Sequence, residues 1–505
     1  MRPGSAPWLL HHELRVGWRA LRGRTGPVWL TVLAVISLGL MHMAAVPIAW
    51  MHGEMPLVAA DEAHVAVTGA LLFALFGMIS TGVVAAVQLI YARGDMDLIL
   101  SSPIRPQTVI AVRAIAIAAS LLALSALVAL PFANIFALFG HPRFLVAYLV
   151  MPSLALIATC ASLALAHAVF RLIGAQRTRL TAQLLAGVIA LAFALLPQLP
   201  SLLMGHDESP FGVLALLAAH LPGPDAWIWL PAHAAMGEPG PLAAAILVSL
   251  ALFWFTTRTL ADGLIADAVT AAGTATVARR RASSHVFTGH ISAILRRKEL
   301  TLLARDPWLL AKITSQMLFL VPVVLLMLNT EGAVASPAWL LVIILAGNLG
   351  GSFGWVTVSG EDAPDLLAAA PIRRFDVLRA KVEAALIAVA LVVTPPLVVA
   401  ALHTPWLGLT LMVCSAGSAL SGALISVLFP SPGRRADFHQ RGKGNAVVVM
   451  CEMMMSGAWA LPGYLMLHRS LWALPVALVL LSLPALFKGL GSRLRRTRSI
   501  ESRPA

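Results

Sequence analysis

The feature that most constrains this chain is a succession of apolar runs, each long enough to cross a bilayer. A spanning helix needs about 20 mostly apolar residues, and twelve such runs can be placed. They fall at 27–50, 65–90, 108–131, 144–170, 180–204 and 240–261, then at 307–329, 336–358, 379–401, 405–429, 444–467 and 470–488. Backbone groups in lipid must be satisfied within the segment, so each run is expected to be a helix. Composition agrees. Of 505 residues, 59% are hydrophobic and 12% charged, against roughly 45–50% and about 25% in soluble domains. The expected fold class is an all-α polytopic membrane protein of about twelve transmembrane helices.

Charge sets the expected orientation. With a cytoplasmic N-terminus, every one of the 36 Lys and Arg residues except Arg143 and Arg469 lies on the cytoplasmic side. A wrong number of spans would scatter that pattern, so the positive-inside rule predicts both termini in the cytoplasm. The net charge of +13 then reflects basic loops facing anionic lipid. No basic–aromatic interleaving of the base-stacking kind occurs, so nucleic acid is not an expected partner. Residues 1–26 and the run after them do not read as a cleavable signal, because the run is too long. Cys160, Cys414 and Cys451 sit in apolar runs without C-x-x-C spacing and read as small hydrophobes in packed helices.

The spans divide six and six, and the cytoplasmic loops repeat. After the second span the chain reads Asp97-Leu-Ile-Leu-Ser-Ser-Pro103-Ile-Arg105. After the eighth it reads Asp365-Leu-Leu-Ala-Ala-Ala-Pro371-Ile-Arg373, at an offset of 268. Arg113 and Lys381 follow at the same spacing, and Val109 and Val377 coincide. A second match precedes each half. His12-Glu-Leu-Arg-Val-Gly-Trp-Arg19 leads into the first, and Lys298-Glu-Leu-Thr-Leu-Leu-Ala-Arg305 into the second. Both segments are basic and amphipathic, as expected of a helix lying in the interface.

The loop has a physical reading. Asp97 and Asp365 favour a helix N-terminus. Leu98 and Leu366 follow and offer an apolar face. Pro103 and Pro371 stop the helix, and Arg105 and Arg373 return the chain to the headgroups. Each half is expected to hold a short rigid helix below the membrane, suited to a cytoplasmic partner. The expected organisation is a first six-helix half over 1–262, a linker over 263–290, a second half over 291–490 and a basic tail over 491–505.

These motifs resemble the permease subunits of ABC transporters of the exporter type called ABC-2. That family places an elbow helix before the first span and a coupling helix between spans two and three, often reading roughly E-L-L-x-x-x-P-L. The outer segment 205–239, with Leu221-Pro-Gly-Pro-Asp-Ala-Trp227, resembles the family's long extracellular segment. Members often have six spans and pair, whereas this chain reads as two such units fused. The second half lacks the long outer loop. The resemblance implies an exporter permease in the plasma membrane, there a bacterial cytoplasmic (inner) membrane. It implies cytoplasmic ATPase subunits, two copies, that bind ATP and Mg and grip Asp97, Leu98, Pro103 and Arg105 in one half and Asp365, Leu366, Pro371 and Arg373 in the other. The chain has no G-x-x-x-x-G-K-[ST] of its own, so it is read as a transport subunit without a cofactor.

Smaller signals point elsewhere. Glu452 lies about 12 Å into its span by helix rise. An acid there costs about 2.5–3.5 kcal/mol on insertion scales, so it should face protein, water or a basic partner; it is the candidate pathway residue, the other reading being structural pairing or a protonated, hydrogen-bonded side chain. An ion-gradient-driven carrier or lipid flippase built of two repeats would use Glu452 as its proton site. A membrane enzyme would need an acid or histidine cluster, and the nearest is Asp61-Glu62-Ala-His64. Met41, His42, Met43, Met51, His52 and Met55 offer soft-metal ligand types, but methionine is also common filler in helices, and no metal is expected. His167 and Lys312 read as snorkelling side chains near span ends.

Overall fold

The computed structural model describes residues 5–22, 63–90, 104–195, 222–223, 225–273, 290–305, 338–361, 364–429 and 446–486, with short pieces at 38–39, 41–43, 45–46, 49–50, 317–318 and 320–325. Every regular element among the described residues is helical, and no strand occurs among them. The chain divides into two compact units, Met1–Ala20 with Pro27–Arg280 and Leu21–Gly26 with Arg281–Ala505. The break after Arg280 falls inside the stretch expected to be the linker.

The first unit holds α1 (Ala6–Arg22), α2 (Ala63–Ile90), α3 (Pro106–Leu138), α4 (Ala147–Ile173), α5 (Ala175–Leu195), α6 (Leu230–Ala235), α7 (Pro239–Thr259) and α8 (Ala261–Gly273). The second holds α9 (Ile291–Arg305), α10 (Ala338–Ser359), α11 (Pro364–Ala369), α12 (Arg374–His403), α13 (Pro405–Leu428), α14 (Ala446–Ala458), α15 (Ala460–Leu467) and α16 (Ala473–Leu486). Proline opens several of these helices. α3, α7 and α13 each carry it in the first turn, where its fixed φ suits the helix and no donor is lost. Gly174, at φ +83°, ends α4 and lets the chain turn into α5.

Seven helices are long and apolar enough to cross a membrane: Val67–Ile90, Gln107–Leu127, Pro142–Ile173, Pro239–Thr259, Trp339–Ser359, Arg374–His403 and Pro405–Leu428. The protein is therefore a polytopic α-helical membrane protein. The other expected spans are shorter here or lie largely outside the described residues. In run 180–204 the described helix is α5, which reaches Leu195, and in 470–488 it is Ala473–Leu486. Most of 27–50 and 307–329 is not described. Run 444–467, expected as one helix, is two, α14 and α15, meeting at Trp459. Trp459 itself keeps helical dihedrals (φ −66°, ψ −12°) and its N–H bonds the Met455 carbonyl at 3.2 Å. Pro462 has no N–H to offer the Ala458 carbonyl, which accounts for the interruption; the buried indole donates to Ser421 Oγ at 3.0 Å.

Each unit has its own core. In the first, α2, α3 and α4 interlock through Val83, Ile110, Ile117 and Leu163. α8 joins them through Ala261, Leu264 and Ala268. The start of the expected linker is thus a packed helix, because these three positions fall on one face. In the second, α10, α12 and α13 bury Val342, Phe353, Val392 and Leu411. α10 and α13 meet at glycine. A Cβ on Gly350 would stand 2.2 Å from the Ala419 carbonyl oxygen, and one on Gly422 would stand 2.3 Å from that of Gly347. Small residues allow this close approach, as in other membrane helix pairs. Cys160 and Cys414 are buried as expected, whereas Cys451 is exposed on α14.

Candidate functional site

The repeated loop leads into α3 in the first unit and into α12 in the second. Arg105 and Arg373 occupy equivalent places, as the extended residue that caps each helix. Both side chains are exposed. Asp97, Leu98 and Pro103 lie outside the described residues. In the second unit Asp365 is the second residue of α11, the short helix the sequence predicts between Asp365 and Pro371. Leu366 on it is 74% exposed, and Pro371 is exposed too. Leu366 is the apolar side chain that this helix leaves uncovered.

Behind each loop lies a buried cation that the sequence marks only by spacing. Arg113, one turn after Val109 on α3, is buried and donates from NH1 to the Leu89 carbonyl at the end of α2. Lys381, on α12, is buried and donates from Nζ to the Thr357 carbonyl at the end of α10. Donor and acceptor are 24 residues apart in both units. The 268-residue offset that relates Arg113 to Lys381 also relates Leu89 to Thr357. The last carbonyls of a helix have no partner within it, and a cation there also meets the negative end of the helix dipole. The duplicated sequence therefore folds into a duplicated local structure: a long-chain cation ties the helix after the loop to the end of the helix before it.

The helix expected at the interface joins this tie. In the second unit Glu299 of α9 is buried, and Lys381 Nζ reaches its Oε1 at 3.0 Å. Lys298 Nζ lies 3.6 Å from the same oxygen and pairs with Glu361, which is itself 3.8 Å from Lys381. Around this centre Arg296 and Arg379 hold Glu383 at 3.3 and 2.7 Å. In the first unit Leu9 of α1 packs against Val109 and Val112 of α3. Glu13, one turn beyond Leu9, is buried, as Arg113 is. The motif residues His12-Glu13 and Lys298-Glu299 thus place a buried carboxylate on each such helix. Glu299 and Glu361 are members of this ion-pair cluster that the sequence did not single out. The signal for the first was the shared Glu-Leu pair.

Glu452 is buried in α14. Ser426 of α13 donates to a Glu452 carboxyl oxygen and lies 2.7 Å from the Gly351 carbonyl of α10. Ser456 donates to the Glu452 backbone carbonyl at 2.6 Å. The acid faces protein, at a crossing of three helices. The remaining signals separate. Of Asp61-Glu62-Ala-His64, only Ala63 and His64 are described, and His64 stands edge-on to Trp229 at 4.6 Å. His42 bonds the Leu38 carbonyl through Nδ1 at 2.7 Å and meets Asn134 at 3.4 Å through Nε2. Met51, His52, Met55 and Lys312 lie outside the described residues. His167, expected to snorkel, instead pairs with Asp267 of α8 at 2.6 Å, because α8 packs beside the end of α4.

Comparison with protein-family models, with curated proteins and with solved structures finds no match.

Proposed function

We propose that this chain is the permease subunit of an ATP-driven exporter, made of two fused six-helix halves with both termini in the cytoplasm. A separate cytoplasmic ATPase, bound as two copies, holds ATP and Mg and supplies the energy. The observation that carries this reading is the duplicated tie behind the two loops. In each unit a buried cation anchors the helix that follows the loop to the helix that precedes it. A push on the loop would then move two spans together instead of bending one connection. The exposed Leu366, Pro371 and Arg373 supply the contact in the second half, with Asp365 beside them, and Asp97, Leu98, Pro103 and Arg105 the contact in the first. The membrane is the plasma membrane, there a bacterial cytoplasmic one.

The test is purification of the tagged chain in mild detergent from its native membranes, with bound proteins identified by mass and vanadate-sensitive ATP hydrolysis assayed. The expected outcome is a Walker-type ATPase that is retained by the parent and lost from the variant carrying Asp97→Lys and Asp365→Lys. Leu366→Asp should weaken retention while leaving thermal unfolding unchanged, since the side chain contributes little burial of its own. A preparation without ATPase that still transports after reconstitution overturns the reading. The second reading is a gradient-driven carrier with Glu452 as its proton site, whose transport would survive ATP depletion and collapse with an uncoupler.

A further inference from the structure

The first unit contains a cavity that the loops do not use. It measures about 390 Å³ and lies among α2, α4, α6 and α7, within the size range of small-molecule sites. Its wall is almost wholly leucine, valine, isoleucine, alanine and proline. The two hydroxyl-bearing residues on it, Thr68 and Ser153, bond their own helices. Thr68 donates to the His64 carbonyl at 2.8 Å and Ser153 to that of Leu149 at 3.2 Å. A sugar, peptide or ion entering here would shed water without compensation. A hydrocarbon would lose nothing.

Position says which hydrocarbon. The wall uses Thr68–Leu75 of α2, Val150–Ile157 of α4 and Pro241–Val248 of α7. These lie in the N-terminal halves of three helices that qualify as membrane spans, in α2 at the end remote from Leu89. Seven residues rise about 10 Å, which fits within one leaflet of a hydrocarbon core about 30 Å thick. The rim residues Leu72, Leu230 and Val248 are exposed on the outside of the bundle, where lipid tails surround a spanning helix. Next in the chain to the lining segments stand Trp227, 81% exposed, and the His233–Glu238 pair at 2.6 Å. Tryptophan of this kind marks the headgroup level.

We infer that this cavity seats one acyl chain of a membrane phospholipid, entering sideways between α2 and α7, with its headgroup beside His233 and Glu238. The inference needs α2, α4 and α7 to span the bilayer and needs nothing of the ATPase.

The test uses the full chain in phosphatidylglycerol nanodiscs containing a phospholipid with a diazirine in one acyl chain, without ATP. Illumination should label α2 and α7 at the cavity wall. Ala245→Trp, which fills the cavity, and Val248→Trp, which closes the exposed rim, should each lose that label. Leu247→Trp, on the exposed face of α7 outside the wall, should keep it. A tagged free fatty acid should label the wall weakly or not at all. Labelling spread evenly over exposed positions overturns the inference, as does labelling unchanged in both filling variants. So does wall labelling by the fatty acid in preference to the phospholipid. Val248→Trp alters an exposed side chain, so it reads out even where Ala245→Trp fails to fold.

Discussion

Lys381 is buried with Glu299, Glu361 and the Thr357 carbonyl as its partners. Removing one member of a buried ion pair is expensive because the other is left without compensation, about 3–5 kcal/mol, whereas removing both is often neutral. Lys381→Met should therefore lower stability toward that range. The double variant Glu299→Met with Lys381→Met should lose less than Lys381→Met alone. Denaturant unfolding of the purified protein in one detergent checks this. With Glu299→Met measured alone as well, a double-variant loss equal to the sum of the two single losses would mean that the pair is not coupled. Part of this site was legible at the residue scale. Arg113 and Lys381 stand out by their spacing after the repeated motif, whereas Glu13 and Glu299 lie in the matched segments with nothing there to mark them as buried. What they touch was not legible, because a carbonyl 24 residues back and a carboxylate 82 residues back leave no periodicity.

At the scale of elements, glycine decides how closely α10 and α13 pack. Gly350→Ala would drive a Cβ against the Ala419 backbone, and neither helix can yield locally. A cost of about 1–3 kcal/mol is expected from overpacking, and more where backbone must move. Gly457 in α14 has open space where a Cβ would go. Gly457→Ala should be neutral or stabilising by about 0.5–1 kcal/mol, since alanine loses less backbone entropy in a helix. Thermal unfolding of both variants checks the contrast, and a destabilised Gly457→Ala would contradict the packing described here. The helices themselves were legible wherever an apolar run is continuous, as in α2, α4 and α13. The interruption at Trp459 was legible in part, because Pro462 lacks the N–H that the Ala458 carbonyl would accept; the indole's bond to Ser421 on another helix was not.

For the whole molecule, the number of spans and the side of each loop are the open quantities that charge predicts. On a cysteine-free background, Ser284→Cys should react with a membrane-impermeant maleimide only after the membrane is permeabilised. Ser209→Cys should react in intact cells. Reaction of Ser284→Cys from outside would reverse the orientation that the positive-inside rule requires. The same assay bears on the fused-repeat reading, since both termini share a side only with an even number of spans.

Lipid as the solvent, helix as the class and the repeat all follow from the order of residues. Continuous apolar runs of about 20 residues with few charges satisfy their backbone in lipid as helices, and the 268-residue offset is written in the order of residues. Tertiary structure alone decided the rest: which carbonyl each buried cation ties, that Glu452 meets Ser426 beside Gly351, that His167 pairs with Asp267, and that α2, α4, α6 and α7 leave a cavity between them. Each of these depends on side chains brought together from distant parts of the chain. Periodicity reports which face of a helix is apolar, but not which helix will cover it.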